Sequence, residues 1–489
     1  MSVSIQRREI VIQAHAQIVV VGGGIMGVGL LYHLAEEGCK DALLIEKGEL
    51  TSGSTWHAAG QCPSLVGNYN LAKIHAYSND LYPRLESLTG QYVSWHASGG
   101  IRLARHKDDL DWFQYLNGIS KSVGFEMEII GPDEIRRLVP SLNTDDVIAG
   151  AYTTGDGHAD PSGLTNAMAR GATNMGAAIE RHNRVIDIKQ LPSGEWQVVT
   201  EKGNVTAEVV VNAAGCFAGE INKMVGSDLP LVNMEHHYVV TGNVDEFVAA
   251  DTELPVIRDP WASAYIRQEQ KSGLVGIYEG EGMTEAWAPR GYPEWTSDSE
   301  LFSDDLDRLM PWLGRAMERL PILEDAGIKR IVNGAIPHPP DGPPYLGPVA
   351  GLENFWLCCG SSFGIAQGAG CGKFLAQWML HGDSEINMTG FDPRRLGVFA
   401  DPEYARAKGF QDYRMTYATP LPGEELPAGR PKRTSPLYET LRAKGAVFTE
   451  TFGWERPKWY SPDGSDEQYS YRRSNVFDIV GRECGAVRE

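Results

Sequence analysis

The sequence predicts an α/β fold in which an open parallel sheet is interleaved with a second part built on a mixed sheet. Three short strand-like runs carry this prediction, and small residues follow closely after each of them. The runs are residues 18–21, 208–211 and 355–358. The carboxyl ends of parallel strands meet at one edge of a sheet, where ligands bind. We therefore expect one ligand site that is assembled from three distant segments.

The composition indicates a large folded protein and limits its partners. The chain has 489 residues, of which 42% are apolar and 22% charged, which is enough apolar material for a large core. Its formal net charge of −20 opposes binding to nucleic acid or to an anionic membrane surface. The most apolar stretch, 18–34, has only 17 residues and contains five glycines, so it is a poor membrane span.

The cysteines and the N-terminus indicate the compartment. None of the seven cysteines lies in a C-x-x-C pair or in a spacing typical of zinc sites, so we predict no metal site. The odd count in a long chain also argues against a disulfide scaffold, and a reducing cytoplasm fits best. Residues 1–16 lack the apolar core of a secretory signal and the Arg- and Ser-rich character of a long transit peptide. We therefore expect a cytoplasmic protein without a membrane partner.

The chain opens with a predicted βαβ unit. Residues 18–21 form its first strand, 25–37 its helix, which Gly38 ends, and 42–45 its second strand. The run GGGIMG at 22–27 joins the first strand to the helix and fits the pattern G-x-G-x-x-G. Strand, glycine-rich turn, helix and second strand together predict a Rossmann-like dinucleotide-binding domain.

The residues of this motif have separate roles in a dinucleotide site. Gly22 permits the tight turn, Gly24 lets the backbone approach a pyrophosphate, and Gly27 allows close packing of the helix on the strand. Glu46 follows the second strand, 19 residues past Gly27, where an acidic side chain would bind ribose hydroxyls. The motif by itself does not separate NAD from FAD.

The segment after this unit, TSGSTWHAAG at 51–60, places one Trp-His pair among small residues. Small side chains and free backbone amides suit a loop that lies against a ligand. From its surroundings alone, His57 fits an ordinary loop histidine. The identity of the dinucleotide therefore depends on what the whole segment resembles.

The run Glu46–Gly60 resembles the N-terminal flavoprotein part of dimethylglycine and sarcosine dehydrogenases, within the D-amino-acid-oxidase-like superfamily. This resemblance implies that the dinucleotide is FAD and that His57, in the Trp-His-Ala-Ala-Gly motif, carries it covalently. Further matching segments are 209–215, with Phe217 where the family often has Trp, and the glycine-rich turn at 359–365. A helix N-terminus at that turn would stabilise negative charge on the reduced flavin.

The motif and the resemblance together imply a set of cofactor-binding residues that is spread over the three strand ends and the loops beside them. The set comprises Gly22, Gly24, Ile25, Met26, Gly27, Glu46, Lys47, Gly53, Ser54, Thr55, His57, Ala59, Gly60, Val185, Ala214, Gly215, Phe217, Gly360, Phe363, Gly364 and Ile365.

The resemblance also implies two catalytic residues on the substrate side. His236 and Tyr265 match a histidine and a tyrosine that lie beside the substrate amine in this family. A second histidine, His237, follows directly, and adjacent strand residues face opposite ways. Only one of the two imidazoles can therefore line the pocket, and the sequence leaves open which one.

The implied reaction is oxidative N-demethylation of a glycine-type secondary or tertiary amine, dimethylglycine or sarcosine, by hydride transfer to FAD. A histidine of near-neutral pKa would accept the ammonium proton, and a tyrosine would orient the amine. Electrons would pass to an electron-transfer flavoprotein or to oxygen. Candidates for binding a substrate carboxylate are Arg102, Arg258 and Arg267, although each fits a surface charge more readily.

Two other functions stay open at this stage. One is FAD-dependent oxidation of another amino acid or of a 2-hydroxy acid, because one fold supports several activities. The other is a non-catalytic flavoprotein subunit of a larger assembly.

The interleaved segments set the predicted domain boundaries. Residues 1–390 form one FAD-dependent oxidoreductase unit, whose substrate part includes strand-like runs at 238–241 and 274–278. The predicted ranges are about 15–95, 150–230 and 330–390 for the FAD-binding part and about 96–149 and 231–329 for the substrate part. Residues 391–434 are predicted as a linker, because 419–436 hold five prolines and two glycines.

Residues 435–489 resemble only the start of the folate-binding domain, similar to the glycine-cleavage T protein, that follows the flavoprotein part in this family. Such a domain needs several times more residues. We therefore expect no productive folate binding by this chain alone, and the resemblance allows for a folate-binding partner chain.

Overall fold

The computed structural model describes residues 13–488. Residues 1–12 and residue 489 lie outside the described part. The segment predicted to carry no targeting signal, 1–16, is therefore mostly outside it. Two eight-stranded sheets with flanking helices form the body of the molecule, which confirms the predicted α/β fold with a second, mixed-sheet part. No helix within residues 13–488 has both the length and the apolar character that a membrane span requires.

The strands and helices are numbered in chain order. The strands are β1 His15–Val21, β2 Ala42–Ile45, β3 Gln61–Cys62, β4 Gly100–Ala104, β5 Glu128–Ile130, β6 Ala149–Thr153, β7 Gly157–His158, β8 Ala178–Glu180, β9 Val185–Gln190, β10 Trp196–Thr200, β11 Gly203–Asn212, β12 Val232–Asn243, β13 Val256–Asp259, β14 Ala264–Glu269, β15 Ser272–Ile277, β16 Ile328–His338, β17 Tyr345–Pro348, β18 Phe355–Cys359, β19 Ala446–Thr451 and β20 Trp454–Tyr460. The α-helices are α1 Ile25–Glu36, α2 Tyr69–Thr89, α3 Lys107–Val123, α4 Pro132–Leu138, α5 Pro161–Asn174, α6 Ala218–Met224, α7 Asp245–Ala249, α8 Leu306–Arg319, α9 Gly364–His381, α10 Pro402–Met415, α11 Tyr438–Ala443 and α12 Phe477–Arg488.

The first sheet, here called the nucleotide sheet, has the strand order β17-β18-β11-β1-β2-β8, with β10 and β9 attached to β11. Strands β18, β11, β1, β2 and β8 run parallel to one another. The three runs predicted from the sequence are therefore neighbours, as β1, β11 and β18. Val20 pairs with Val211, and Val211 pairs with Trp356, so three distant segments end side by side.

Helix α1 is buried along almost its whole length, because it packs between the nucleotide sheet and helix α9. The two helices approach most closely at glycines. A Cβ on Gly29 would lie 2.4 Å from the carbonyl oxygen of Gly368, and a Cβ on Gly372 would lie 2.3 Å from the backbone of Gly29. This contact fully buries Leu30 and Leu34 of α1, each worth about 1.5–3 kcal/mol relative to an exposed side chain.

The second sheet, here called the substrate sheet, has the order β16-β12-β15-β14-β13-β4-β6-β5 and contains both parallel and antiparallel pairs. The predicted runs 238–241 and 274–278 fall largely in its neighbouring strands β12 and β15. Helix α8 packs against this sheet and buries Arg319 completely. The Arg319 guanidinium pairs with Asp259 and Asp146 at 2.7 Å each, which compensates the cost of burying its charge.

The stretch 391–434, predicted as a linker, contains helix α10. Asp401 caps this helix by accepting a hydrogen bond from the Tyr404 amide at 2.9 Å, and a proline follows in the first turn. Tyr413 near its C-terminal end is fully buried. The prolines that indicate a linker come after α10, so they do not interrupt it, and the helix packs beside β12.

Residues 435–489 contain the hairpin β19–β20, which forms a separate two-stranded sheet. Ion pairs connect this region to the rest of the chain. Arg430 pairs with Glu455 at 2.7 Å and with Glu425 at 2.8 Å. Arg472 pairs with Asp111 of helix α3 at 2.5 Å.

Candidate active site

The carboxyl ends of β1, β11 and β18 open into a cavity of about 730 Å³ that extends to the substrate sheet. This volume is within the usual range for small-molecule and cofactor sites. Every predicted cofactor-binding residue except Gly27 lines the cavity, and so do His236 and Tyr265. Gly27 lies inside α1, where a Cβ would be 2.0 Å from the carbonyl oxygen of Gly22, so its contribution is close packing. The fold thus brings the predicted set together, and the role of each residue toward a cofactor stays a prediction.

The glycine-rich turn gives α1 a free N-terminal end at the cavity. Gly22 has a φ of +118°, and a Cβ there would lie 2.5 Å from the carbonyl oxygen of Ala213, so a larger residue does not fit. Gly24 is the N-cap and contributes no side chain. The Ile25 amide donates to the Thr55 hydroxyl at 3.1 Å, which ties the turn to the 51–60 loop. The first turn of α1 therefore offers backbone amides and a positive dipole end to an anion.

Glu46 and Lys47 lie at one end of the cavity. The Glu46 carboxylate accepts hydrogen bonds from the amides of Gly23 at 2.7 Å and Gly48 at 2.8 Å, which fixes its position beside the glycine-rich turn. The Lys47 ammonium sits 3.7 Å from the centre of the Phe217 ring and donates to the carbonyl of Ser297. Burial lowers the pKa of Lys47. These groups suit the ribose and adenine end of a dinucleotide.

His57 is buried in the 51–60 loop and packs against the substrate sheet. A Cβ on Gly334 of β16 would lie 2.3 Å from the His57 ring, so the imidazole rests directly on this strand. The Trp56 ring contacts it edge-on, with 5.7 Å between ring centres. Burial lowers the pKa of His57 to about 4. The imidazole is therefore neutral near pH 7, the state in which its ring nitrogen has a free lone pair.

The remaining walls fit the flavin half of FAD. Gly360 has a φ of +75°, and helix α9 begins at Gly364 with no side-chain cap from Phe363, so its N-terminal amides face the cavity. Gln61 also lines the cavity, and its buried Nε2 has no hydrogen-bond partner among residues 13–488. An amide donor left unpaired at a cavity wall is a place for a ligand acceptor. The donor set therefore fits a dinucleotide such as FAD.

His236 and Tyr265 form a hydrogen-bonded pair on the substrate sheet. His236 Nε2 lies 3.2 Å from the Tyr265 hydroxyl, and His236 Nδ1 lies 3.0 Å from the Tyr413 hydroxyl. The ring of Tyr278 packs on His236 with 4.4 Å between ring centres. Tyr265 lies over Gly276 of the neighbouring strand, where a Cβ would be 1.8 Å from the phenol ring. The pair is thus held by aromatic packing on one side and by a glycine on the other.

The two adjacent histidines face opposite ways, as strand alternation requires. His236 lines the cavity, whereas His237 does not, and its Nδ1 lies 2.9 Å from the Arg308 guanidinium. This answers which imidazole points inward. Burial, and then the neighbouring His237, lower the pKa of His236 to about 3, which corrects the near-neutral pKa expected from the sequence and leaves the ring neutral.

A buried carboxylate extends the His236 network away from the cavity. Glu279 is fully buried, and its Oε2 accepts a hydrogen bond from the Tyr413 hydroxyl at 2.8 Å. Its other oxygen lies 3.2 Å from the Arg308 Nε. Burial raises the pKa of Glu279 above its ordinary value, and the nearby Arg308 offsets only part of this rise. The chain from Tyr265 through His236 and Tyr413 therefore ends on a charge-paired carboxyl group.

The three candidate arginines are buried, which corrects the interpretation that they are surface charges. Arg258 pairs with Asp156 at 3.2 Å, and Arg267 pairs with Glu269 at 2.5 Å. Arg102 lines the cavity, and no carboxylate among the described residues lies within 4.0 Å of its guanidinium. Burial lowers the pKa of Arg102 to about 10, which leaves it charged at neutral pH.

Sequence reasoning missed Tyr278, Glu279 and Tyr413, which complete the site. Tyr278 and Glu279 directly follow β15, so the end of a predicted strand gave a weak signal for them. For Tyr413 the sequence contains no such signal, because this residue lies in the stretch predicted as a linker. Only the packing of α10 against β12 brings its hydroxyl to His236.

Comparisons with known proteins agree with this geometry. Residues 17–378 match the family described as "FAD dependent oxidoreductase", and residues 381–435 match its "central domain". The mitochondrial dimethylglycine dehydrogenase of Mus musculus is 43% identical over 97% of this chain and 55% of its own length. The mitochondrial sarcosine dehydrogenase of Homo sapiens is 34% identical over 97% of this chain and 54% of its own length.

Among solved structures, the L-proline dehydrogenase of P. horikoshii superposes with a TM-score of 0.69 at 24% identity, over 78% of this chain and 98% of that one. This likeness supports the fold. The curated relatives bear out the resemblance drawn from Glu46–Gly60, and the chain spans about half the length of those it matches.

Proposed function

Because the chain belongs to the family of FAD-dependent oxidoreductases, we propose that it oxidatively N-demethylates a glycine-type secondary or tertiary amine, dimethylglycine or sarcosine. The observation that carries this proposal is the His236–Tyr265 pair, joined at 3.2 Å, at the wall of the cavity that His57 also lines. The names of the similar dimethylglycine and sarcosine dehydrogenases support the substrate class.

FAD supplies the hydride acceptor, so the protein has to present the amine as its free base. The Tyr413 hydroxyl donates a hydrogen bond to Glu279, whose other carboxyl oxygen lies 3.2 Å from Arg308. The Tyr413 oxygen then accepts from the Nδ1–H of His236, and the Nε2 lone pair accepts from the Tyr265 hydroxyl at 3.2 Å at the cavity wall. Because the His236 ring is neutral, with a pKa of about 3, we propose that the His236–Tyr265 pair binds and orients the amine as its free base, and that the imidazole does not store the ammonium proton.

Arg102 is the proposed binding group for the substrate carboxylate. Its guanidinium stacks on Trp112 at 4.8 Å and donates one hydrogen bond to the Tyr417 carbonyl at 2.8 Å. Its buried Nε has no partner within residues 13–488. A carboxylate bound there completes the hydrogen bonding of this arginine. Two aromatic rings connect Arg102 to His236: Tyr417 contacts Arg102 at 5.5 Å, Tyr278 lies 5.8 Å from Tyr417, and the Tyr278 ring lies 4.4 Å from His236.

We propose a covalent bond between His57 and FAD. The buried, neutral imidazole has a nucleophilic nitrogen, and Gly334 leaves the ring no room to move toward the substrate sheet. The new bond would replace one C–H bond of a flavin methyl group: the proton would leave to solvent, and the electron pair would stay on the flavin until the electron acceptor reoxidised it. A fixed, unprotonated imidazole would supply the nucleophile for this step.

Electron-transfer flavoprotein or oxygen is the proposed electron acceptor, and hydrogen peroxide formed under air would identify oxygen.

We further propose that residues 435–489 begin a folate-binding module and act with a folate-binding partner chain.

All seven cysteines are free and six are buried, which supports a reducing compartment. Since the similar dehydrogenases carry "mitochondrial" in their names, the cytoplasm stays a prediction.

Anaerobic titration of the FAD-loaded protein tests the function. Dimethylglycine or sarcosine should bleach the visible flavin band, whereas a 2-hydroxy acid should not. The His236→Gln variant should be reduced about 10²–10⁴ times more slowly, and His237→Gln, its neighbour on the opposite face, should stay within a few-fold of wild type. No bleaching by either amine, or equal rates in both variants, would contradict the proposal.

A further inference from the structure

We propose that His96, His158 and Glu253 form a binding site for a divalent transition-metal ion of the Zn²⁺ type. Each residue offers one ligand atom, and the three atoms lie within 4.8 Å of one another. Two imidazole nitrogens and one carboxylate oxygen form a donor set that Zn²⁺ prefers, with a fourth position left for water. None of the three lines the FAD cavity, so the site is separate from the candidate active site.

The backbone fixes the two histidines opposite each other. His96 and His158 form an isolated antiparallel bridge, with reciprocal hydrogen bonds from His96 N to His158 O at 2.8 Å and from His158 N to His96 O at 3.1 Å. Residues directly opposite in such a pair carry their side chains on one face, about 4.5–5.5 Å apart at Cβ. The two nitrogen ligands are therefore brought together before any ion binds.

Glu253 supplies the third ligand from the loop between α7 and β13. Its Oε2 lies 3.0 Å from His96 Nδ1 and 3.2 Å from His158 Nε2. These are close to the ligand–ligand distances around a tetrahedral ion with bonds of about 2.0–2.2 Å. The rings of His96 and His158 are nearly parallel, 4.6 Å apart, so metal binding requires the partly exposed His96 ring to tilt toward the carboxylate.

A further hydrogen bond orients one of the three ligands. His96 Nε2, on the far side of its ring, bonds the Ser94 hydroxyl at 2.9 Å. Such a bond to the second nitrogen orients a ligating histidine.

The proposed metal site lies between the 51–60 loop and the substrate sheet. His158 belongs to β7, which pairs with β3 next to the 51–60 loop, and the Ala159 amide donates to the Gly60 carbonyl at 3.0 Å. Glu253 precedes β13 of the substrate sheet. A bound ion would therefore connect the loop that carries His57 to the substrate sheet. No sequence motif reveals the site, because its ligands are 62 and 95 residues apart.

Zinc binding by the FAD-loaded protein tests the proposal. After dialysis against a chelator, the protein is titrated with zinc sulfate, and bound zinc, affinity and Tm are measured. Wild type should bind one zinc per chain and gain thermal stability. His96→Gln and Glu253→Gln should each weaken binding at least 10-fold and abolish the Tm shift. Both residues are partly exposed, so these variants should fold.

His182→Gln is the matched control, because His182 pairs with Glu49 at 2.8 Å on the surface without belonging to a three-ligand cluster. It should bind zinc as wild type does. X-ray absorption at the zinc edge should show two imidazoles in the first shell. Absence of zinc from the wild type, equal affinity in wild type and Glu253→Gln, or a first shell without imidazole would each overturn the proposal.

Discussion

His57 combines a nucleophilic nitrogen with a position that allows little movement. Its pKa of about 4 follows from burial, and the ring is confined between Trp56 and Gly334. The sequence points to this residue only through the family resemblance of the Trp-His-Ala-Ala-Gly motif, because its surroundings alone fit an ordinary loop histidine. The close approach to Gly334 could not be predicted, because it joins residues far apart in the chain.

Replacing His57 with Ala should abolish covalent attachment of the flavin and leave the glycine-rich turn able to bind FAD non-covalently. Acid precipitation measures this directly: a yellow pellet is expected for wild type, and a colourless pellet with a yellow supernatant for the variant. His182→Ala, on the surface, should behave as wild type. Flavin that stays with the His57→Ala pellet would place the attachment elsewhere.

The hydroxyl of Tyr413 links His236 to Glu279, at 3.0 and 2.8 Å. Tyr413→Phe keeps the buried ring but leaves two buried polar groups unpaired, which costs about 1–3 kcal/mol. We expect the rate of flavin reduction by the amine to fall about 10–100-fold, because His236 loses the group that fixes its tautomer. Stopped-flow reduction measures this rate.

Tyr404→Phe is the control for this change, since Tyr404 lies on the same helix and its hydroxyl bonds Glu450 at 2.7 Å, outside the site. It should reduce the flavin at the wild-type rate. If the two variants slow reduction equally, the effect belongs to α10 as a whole and the proposed role of the Tyr413 hydroxyl in the His236 network is wrong.

At the scale of elements, strand β16 supports both halves of the site. Gly334 lies under the His57 ring and pairs with His236 of β12. Gly334→Ala would push a methyl group into the imidazole, so we expect covalent flavin content to fall several-fold. Gly118→Ala, at an exposed and open position in helix α3, should raise stability by up to about 1 kcal/mol and leave flavin content unchanged. Full flavinylation of the Gly334→Ala variant would contradict this account.

Elements with a strong local pattern could be predicted, and α10 could not. The strands at 18–21, 208–211 and 355–358 are apolar or β-branched runs that end on small residues, and all three are parallel neighbours in the structure. Helix α10 is polar for most of its length and precedes a proline-rich stretch, so composition alone favours a linker there. The position of α10 depends on Tyr413 and on Tyr417 just after the helix, which pack on the substrate sheet.

At the scale of the molecule, buried histidines make stability depend on pH. Burial lowers the pKa of His33 and His75 to about 4, against 6.5 for an exposed imidazole. Between those values the unfolded chain binds more protons than the folded one, so stability falls as pH falls from 6.5 to 4. At pH 5 each histidine accounts for a loss of about 2 kcal/mol.

Urea unfolding at pH 7 and pH 5 measures this loss. The drop in unfolding free energy should be about 2 kcal/mol smaller for His33→Gln than for wild type. Comparing each protein with itself at two pH values removes any constant cost of the substitution. An equal drop in both proteins would show that His33 is protonated in the folded state.

The interleaving of the nucleotide sheet has a consequence for how the protein is made. Its central strand β1 comes from residues 15–21, but its neighbours β11 and β18 come from 203–212 and 355–359. During synthesis, the glycine-rich turn is made first, and more than three hundred further residues must be made before all strands of the nucleotide sheet can pair. Helix α10, which completes the network around His236, emerges later still. Cofactor binding therefore belongs to the last stage of maturation, after most of the chain has left the ribosome.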